Sequence, residues 1–122
     1  MLDHVALNIS DGAVAKAFYE RALEPLGYTV GMEVDEHVGF RSAEGELDFW
    51  LSRRGEPSSP VHVAFHAADR SAVDAYHATA IAAGGVDNGA PGVRAEYHEN
   101  YYAAFVLDPE GNNIEAVCQK PV

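Results

Sequence analysis

The chain repeats itself. His4-Val5-Ala6-Leu7-Asn8-Ile9-Ser10-Asp11 returns 58 positions later as His62-Val63-Ala64-Phe65-His66-Ala67-Ala68-Asp69. The match runs on without a gap: Ala17 falls on Ala75, Phe18 on Tyr76, Ala22 on Ala80, Leu23 on Ile81 and Gly27 on Gly85. A unit this long that occurs twice is no solenoid, so it predicts two related modules about a pseudo-twofold axis within one domain. Whatever sits on that axis is reached by equivalent residues from both halves, and the two repeat-opening histidines, His4 and His62, form the first such pair.

At 122 residues a chain buries about two-thirds of its unfolded surface, enough to fold without a disulfide or a metal. The lone Cys118 excludes an intramolecular disulfide and makes a reducing cytoplasm the default expectation. No basic leader opens the sequence, and no run approaches the ~18 apolar residues that a membrane-spanning helix needs, so no membrane role is expected. The formal charge of −11, from 8 Lys plus Arg against 19 Asp plus Glu, repels polyanions and argues against nucleic acid as a partner.

Period and punctuation give the elements. Leu2 to Ile9 alternates as a half-buried strand, Asp11 is an N-cap, and a helix follows over roughly 12–24 with Val14, Ala17, Phe18 and Leu23 as its apolar stripe. Gly27 closes it. Strands are expected at roughly 28–34, 37–43 and 46–52, with Glu44-Gly45 as the last turn. The polar, proline-bearing stretch 53–60 is the linker. The order then restarts with a strand at 61–68, a helix at about 70–84, and strands near 93–97, 101–107 and 112–118. The Gly84-to-Gly92 run reads as a loop on the rim, without the spacing or lysine of a phosphate cradle. The expected architecture is α+β, βαβββ written twice: module one at about 1–52 and module two at about 61–122 form a cup-shaped, partly open sheet with the helices outside.

These paired units, the His-Val-Ala that opens each, and the closing Asp108-Pro109-Glu110-Gly111-Asn112-Asn113-Ile114-Glu115 resemble the vicinal oxygen chelate superfamily of glyoxalases, bleomycin-resistance proteins and extradiol dioxygenases. The resemblance covers nearly the whole chain. It implies a divalent metal (Zn, Ni, Mn or Fe) inside the cup, with His4, His62 and Glu115 as its ligands. Strand alternation agrees: His4 shares a face with Ala6 and Asn8, His62 with Ala64 and His66, and Glu115 with Asn113, each opposite the apolar face. Two imidazoles and a carboxylate leave coordination positions open for water or a chelating substrate.

A fourth ligand depends on how the first module aligns with the closing run. Without a gap, Phe49 stands opposite Glu115 and there is no fourth ligand; with a turn one residue shorter, Asp48 stands there and supplies one. A three-ligand site resembles the iron or manganese dioxygenases, and a four-ligand site the zinc or nickel isomerases. His98, as a proton carrier, and Tyr102, as an oxygen-orienting phenol, are the catalytic candidates near the site. His66 and Asn8 occupy equivalent places on a polar lining, and Trp50 either lines the pocket or seals a subunit contact. His37 and His77 read as surface residues.

The expected function is a metal-dependent small-molecule enzyme of glyoxalase or dioxygenase type, a lyase, isomerase or dioxygenase that binds vicinal substrate oxygens to the ion. The alternative is a metal-free binder of bleomycin-resistance type that sequesters a cationic or aromatic small molecule in an acidic groove. A homodimer is expected, because small open cups leave strand edges that pairing covers. The pocket then forms where two modules face each other, within one chain or across the dimer.

Overall fold

The computed structural model describes residues 1–53, 56–57 and 60–122; the remainder of the expected linker lies outside the described residues. The elements run β1 (Val5–Asn8), α1 (Gly12–Ala22), a 3-10 turn (Glu24–Leu26), β2 (Thr29–Val34), β3 (His37–Arg41) and β4 (Leu47–Ser52), followed by β5 (His62–His66), α2 (Arg70–Ala82), β6 (Val86–Val93), β7 (Tyr102–Leu107) and β8 (Asn113–Cys118). They build two four-stranded sheets of the same order, β1-β4-β3-β2 and β5-β8-β7-β6. In each, the opening strand runs parallel to the closing one and the other pairs are antiparallel. Neither sheet closes on itself, so the α+β fold is an open cup. Among the described residues no helix is long and apolar enough to cross a membrane.

The repeat is visible down to single hydrogen bonds. Asp11 caps α1 by accepting from the Val14 amide at 3.1 Å, and Asp69, its repeat mate, caps α2 by accepting from the Ala72 amide at 2.8 Å. Each such cap stabilises its helix by about 1 kcal/mol. The first helix ends at Ala22, two residues short of the expected bound at about 24. Pro25 has no amide proton to bond back, and the chain tightens into the 3-10 turn before Gly27 at φ 89°. A Cβ at Gly27 would stand 2.7 Å from that of Ala43, so this turn needs glycine for space as well as conformation.

The helices pack against each other and cover one face of each sheet. Leu7, Ile9, Phe40, Phe49, Leu51, Phe65, Ile114 and Ala116 meet Phe18, Tyr19, Val73 and Tyr76 in one continuous core that spans both halves. The closing run proves to be a clamp between them. The buried Asp108 accepts from the Tyr19 hydroxyl on α1, the amides of Glu110 and Asn112, and the Asn112 side chain. Beyond it, the Glu110 carboxylate takes the Ser10 hydroxyl (2.8 Å) and the amides of Ser10 (3.1 Å) and Asp11 (3.3 Å) at the start of α1.

Two expectations are corrected. Of the strand expected at 93–97 only Val93 is extended, as the last residue of β6, and residues 94–97 form a turn. The glycine-rich run read as a loop carries β6 instead, with register shifts between Asp87 and Gly89 and between Gly89 and Gly92. An edge strand tolerates Pro91 and such irregularities, since one side of its backbone has no ladder to keep. His77, read as a surface residue, is only 18% exposed and pairs its Nε2 with Asp87 at 2.9 Å, tying α2 to that edge strand.

Candidate metal centre

The helix-free faces of the sheets carry the residues that matter. Parity along β8 puts Ile114, Ala116 and Cys118 into the core and turns Glu115 to the opposite face. Glu115 is nonetheless 1% exposed, because rings roof it. His62 brings its Nε2 to within 2.7 Å of Oε1, Tyr101 donates its hydroxyl to Oε2 at 2.5 Å, and Phe105 stands directly across the β7–β8 ladder. Partial burial and the neighbouring carboxylate push the Tyr101 phenol up to about 12, so it stays a neutral donor to Glu115 over the ordinary pH range.

A buried carboxylate and an imidazole that converges on it while staying 52% exposed are the right donor types for a divalent ion. They are two of the three expected ligands. His4 does not join them: it lies one residue ahead of β1, and its Nδ1 pairs with Asp3 at 2.8 Å. Among the described residues no three His, Cys, Asp or Glu side chains converge as a metal-holding group. The two opening histidines occupy different hollows. His4 lines a cleft of about 550 Å³ with Tyr28, Asp48, Phe65 and His66, whereas His62 lines a smaller hollow with Ala6, Leu7 and Ala64.

The fourth-ligand question resolves in a way that neither alignment anticipates. In the second half Leu107 pairs with Asn113 and Val106 with Ile114, without interruption. In the first half Arg41 pairs with Leu47 but Phe40 pairs with Phe49, so Asp48 is an extra residue bulged out of β4. That one residue slips the register. Phe49 drops into the core at 1% exposure, and Trp50 takes the place of Glu115. The parallel ladders agree, since Ala6 opposes Trp50 as its repeat mate Ala64 opposes Glu115. The indole lies flat on Gly39, where a Cβ would come within 2.7 Å of the ring, and its Nε1 donates to the Leu47 carbonyl at 3.2 Å. Asp48 instead accepts from the Tyr28 hydroxyl at 2.8 Å; burial, with this bond second, raises the Tyr28 phenol well above its ordinary value.

Of the two catalytic candidates, Tyr102 points to the helix side of β7. Its hydroxyl donates to Asp74 on α2 at 2.6 Å, and the Arg70 guanidinium lies 4.9 Å from its ring centroid. His98 sits in the turn before β7 and accepts from the Asn100 amide at 3.1 Å. Tyr101, one residue earlier than the phenol singled out from the sequence, is the one that reaches Glu115. Strand parity counted back from Phe105 would have found it, because 101, 103 and 105 share the face that 115 occupies.

Comparison with known proteins identifies the family and agrees with the fold. Residues 1–116 match the family model of the Glyoxalase/Bleomycin resistance protein/Dioxygenase superfamily. A glyoxalase/bleomycin resistance protein from Albidiferax ferrireducens T118 shares 31% identity over 97% of this chain and 98% of its own, with a TM-score of 0.85. Two more distant structures share the fold. A glyoxalase/bleomycin resistance protein/dioxygenase family enzyme from Burkholderia phytofirmans PsJN is 20% identical over 97% and 98% of the two chains, with a TM-score of 0.75. The lactoylglutathione lyase from Agrobacterium tumefaciens is 18% identical over 97% and 92%, with a TM-score of 0.73. No curated protein matches the chain by sequence.

Proposed function

The chain belongs to the glyoxalase/bleomycin resistance protein/dioxygenase superfamily, and from that premise we propose that it is a metal-dependent enzyme acting on a small molecule with vicinal oxygens. The observation that carries the reading is the buried Glu115 with His62 and Tyr101 on its two oxygens. His62 and Glu115 would hold a divalent first-row ion. His4 is the third donor, and it comes from a second copy of the chain, because within one chain it faces another hollow. The working unit is thus a homodimer, and the buried, unpaired thiol of Cys118 suits a reducing cytoplasm.

When bound, the ion would supply a Lewis acid that stabilises negative charge developing on substrate oxygens. The chain's own residues do the rest. Tyr101 fixes the carboxylate and keeps it in one orientation, as partners behind a ligand commonly do. Trp50 fills a fourth corner without a donor atom, so positions remain open to substrate. Tyr101 takes over as positioning residue the place expected of His98 and Tyr102, since the Tyr102 hydroxyl donates to Asp74 and His98 Nδ1 accepts from the Asn100 amide. This set suits lyase, isomerase or dioxygenase chemistry.

Elemental analysis after loading with Zn, Ni, Mn or ferrous iron tests the reading. The expected result is about one ion per chain, with His62→Ala and Glu115→Ala each losing at least about tenfold in affinity while keeping the fold. Wild-type protein that stays metal-free would overturn it. A second reading then gains ground, that of a metal-free binder of an organic cation, for which the cleft walled by Phe49, Phe65, Asp3, Glu46 and Asp48 is the supporting observation. The charge of −11 argues against nucleic acid as a partner.

A further inference from the structure

The glycine-rich edge strand β6 has one effect that the metal centre does not use: it seats Arg94. The Arg94 amide bonds the Tyr101 carbonyl at 2.7 Å, so the two residues stand opposite each other and their side chains share a face, the face on which Tyr101 reaches Glu115. From there the guanidinium folds back along β6. Nη1 donates to the Gly92 carbonyl at 2.9 Å and Nη2 to the Ala90 carbonyl at 2.7 Å. Its carbon lies 5.4 Å from the centroid of Phe105, whose ring centroid is in turn 6.2 Å from that of His62.

The seat depends on missing side chains. A Cβ at Gly92 would stand 3.1 Å from Nη1; one at Gly89 would stand 3.2 Å from Nη2 and 2.8 Å from the Phe105 ring. Gly89 also holds φ 152°, a conformation that L side chains rarely adopt. The two register shifts of β6 fall at these glycines, so the irregular backbone and the placement of Arg94 are one construction.

In a chain with 19 acidic residues against 8 basic ones, Arg94 has no carboxylate partner among the described residues. Two of its five donors are used on backbone carbonyls, which fix its plane without neutralising its charge. A half-buried guanidinium held flat, unpaired, and one phenyl ring away from His62 and Glu115 presents its remaining donors to whatever occupies the site. We propose that Arg94 binds the carboxylate of an anionic substrate whose reacting end lies at His62 and Glu115. The location of that reacting end rests on the metal-centre reading above.

The overall charge does not oppose this. Spread over the surface, it is screened beyond about 8 Å at physiological ionic strength. It slows the approach of an anion but does not compete at contact with charge-assisted, two-pronged hydrogen bonds to a carboxylate. The same Arg94 disfavours an organic cation on this face, which separates the substrate of the metal centre from any occupant of the acidic cleft.

The test is titration of the full chain, as purified, with 3-phenylpropionate and with its neutral amide 3-phenylpropanamide, followed by ligand-observed NMR. The carboxylate should bind about tenfold tighter than the amide, as expected for a hydrogen bond to a charged group. Arg94→Gln should abolish that preference while leaving amide binding and the circular dichroism spectrum unchanged. Arg94→Lys should recover only part of it, because an ammonium has no planar fork. Equal affinity for the two probes, an unaltered preference in Arg94→Gln, or no binding of either to wild type would each overturn the proposal. Metal uptake measured on the same samples keeps the two readings apart. If wild type takes up no metal, the metal-centre reading falls, while the carboxylate preference still decides the role of Arg94.

Discussion

Trp50 is the residue at which the two halves differ most in consequence. It stands on the ladder where its counterpart is Glu115, it covers Gly39 where its counterpart faces Phe105, and it offers a flat apolar ring in place of two oxygens. The proposed centre therefore has one carboxylate where an unbroken repeat would place two. Trp50→Glu should reinstate the second and raise the affinity for Zn or Ni by about tenfold or more, an effect at least as large as that of losing a ligand's supporting partner. Competition with a chromophoric chelator measures it. An unchanged affinity would mean that position 50 does not face the ion. The substitution needs no new backbone, since the indole already occupies more space than a glutamate.

At the scale of elements, much of this architecture is legible in the sequence because local and global signals coincide. Asp11 and Asp69, at the same offset as the opening histidines, mark both helix starts, and alternation assigns both faces of β1 and β5. What is not legible is what one residue or one contact decides. The Asp48 bulge leaves no compositional mark, as Leu47-Asp48-Phe49-Trp50 alternates acceptably in either register, yet it moves Trp50 into the place disputed between Phe49 and Asp48. β6 is hidden for a different reason: glycine and proline argue against a strand unless its edge position is known. The closing Asp-Pro-Glu-Gly-Asn run is legible as a family mark but not as the clamp onto α1. That clamp has a pH signature. Burial alone would raise the Glu110 carboxyl, but the hydrogen bonds from Ser10 and Asp11 outweigh it and hold the group below its ordinary value. The folded state therefore binds its proton less readily than the unfolded chain. The stabilisation is complete above the ordinary carboxyl value of 4.5 and is lost as pH falls through the lower, folded one. Glu110→Gln should lower urea stability at neutral pH and flatten its decline below about pH 4.5. An equally steep acid limb in the variant would show that other carboxyls set it.

For the whole molecule, the separation of His4 from His62 and Glu115 makes a prediction about assembly. Mixed and reannealed, His4→Ala and His62→Ala chains should regain metal that neither holds alone. A mixed dimer then carries one intact site and one doubly damaged site, so random pairing returns about a quarter of the wild-type sites. No regain on mixing, or a monomer mass at all concentrations by sedimentation, would rule out a shared centre. The bulge at Asp48 reaches this scale too. Two unbroken copies of one module, facing each other, would make a cup identical from either side, and a ligand could enter it turned end for end. In the proposed centre, an indole in one corner, a carboxylate in the opposite one and Arg94 on the carboxylate's side would give the cup a front and a back. A bound molecule would then lie in a single sense, so the direction in which a ligand enters would follow from a single inserted residue in one strand.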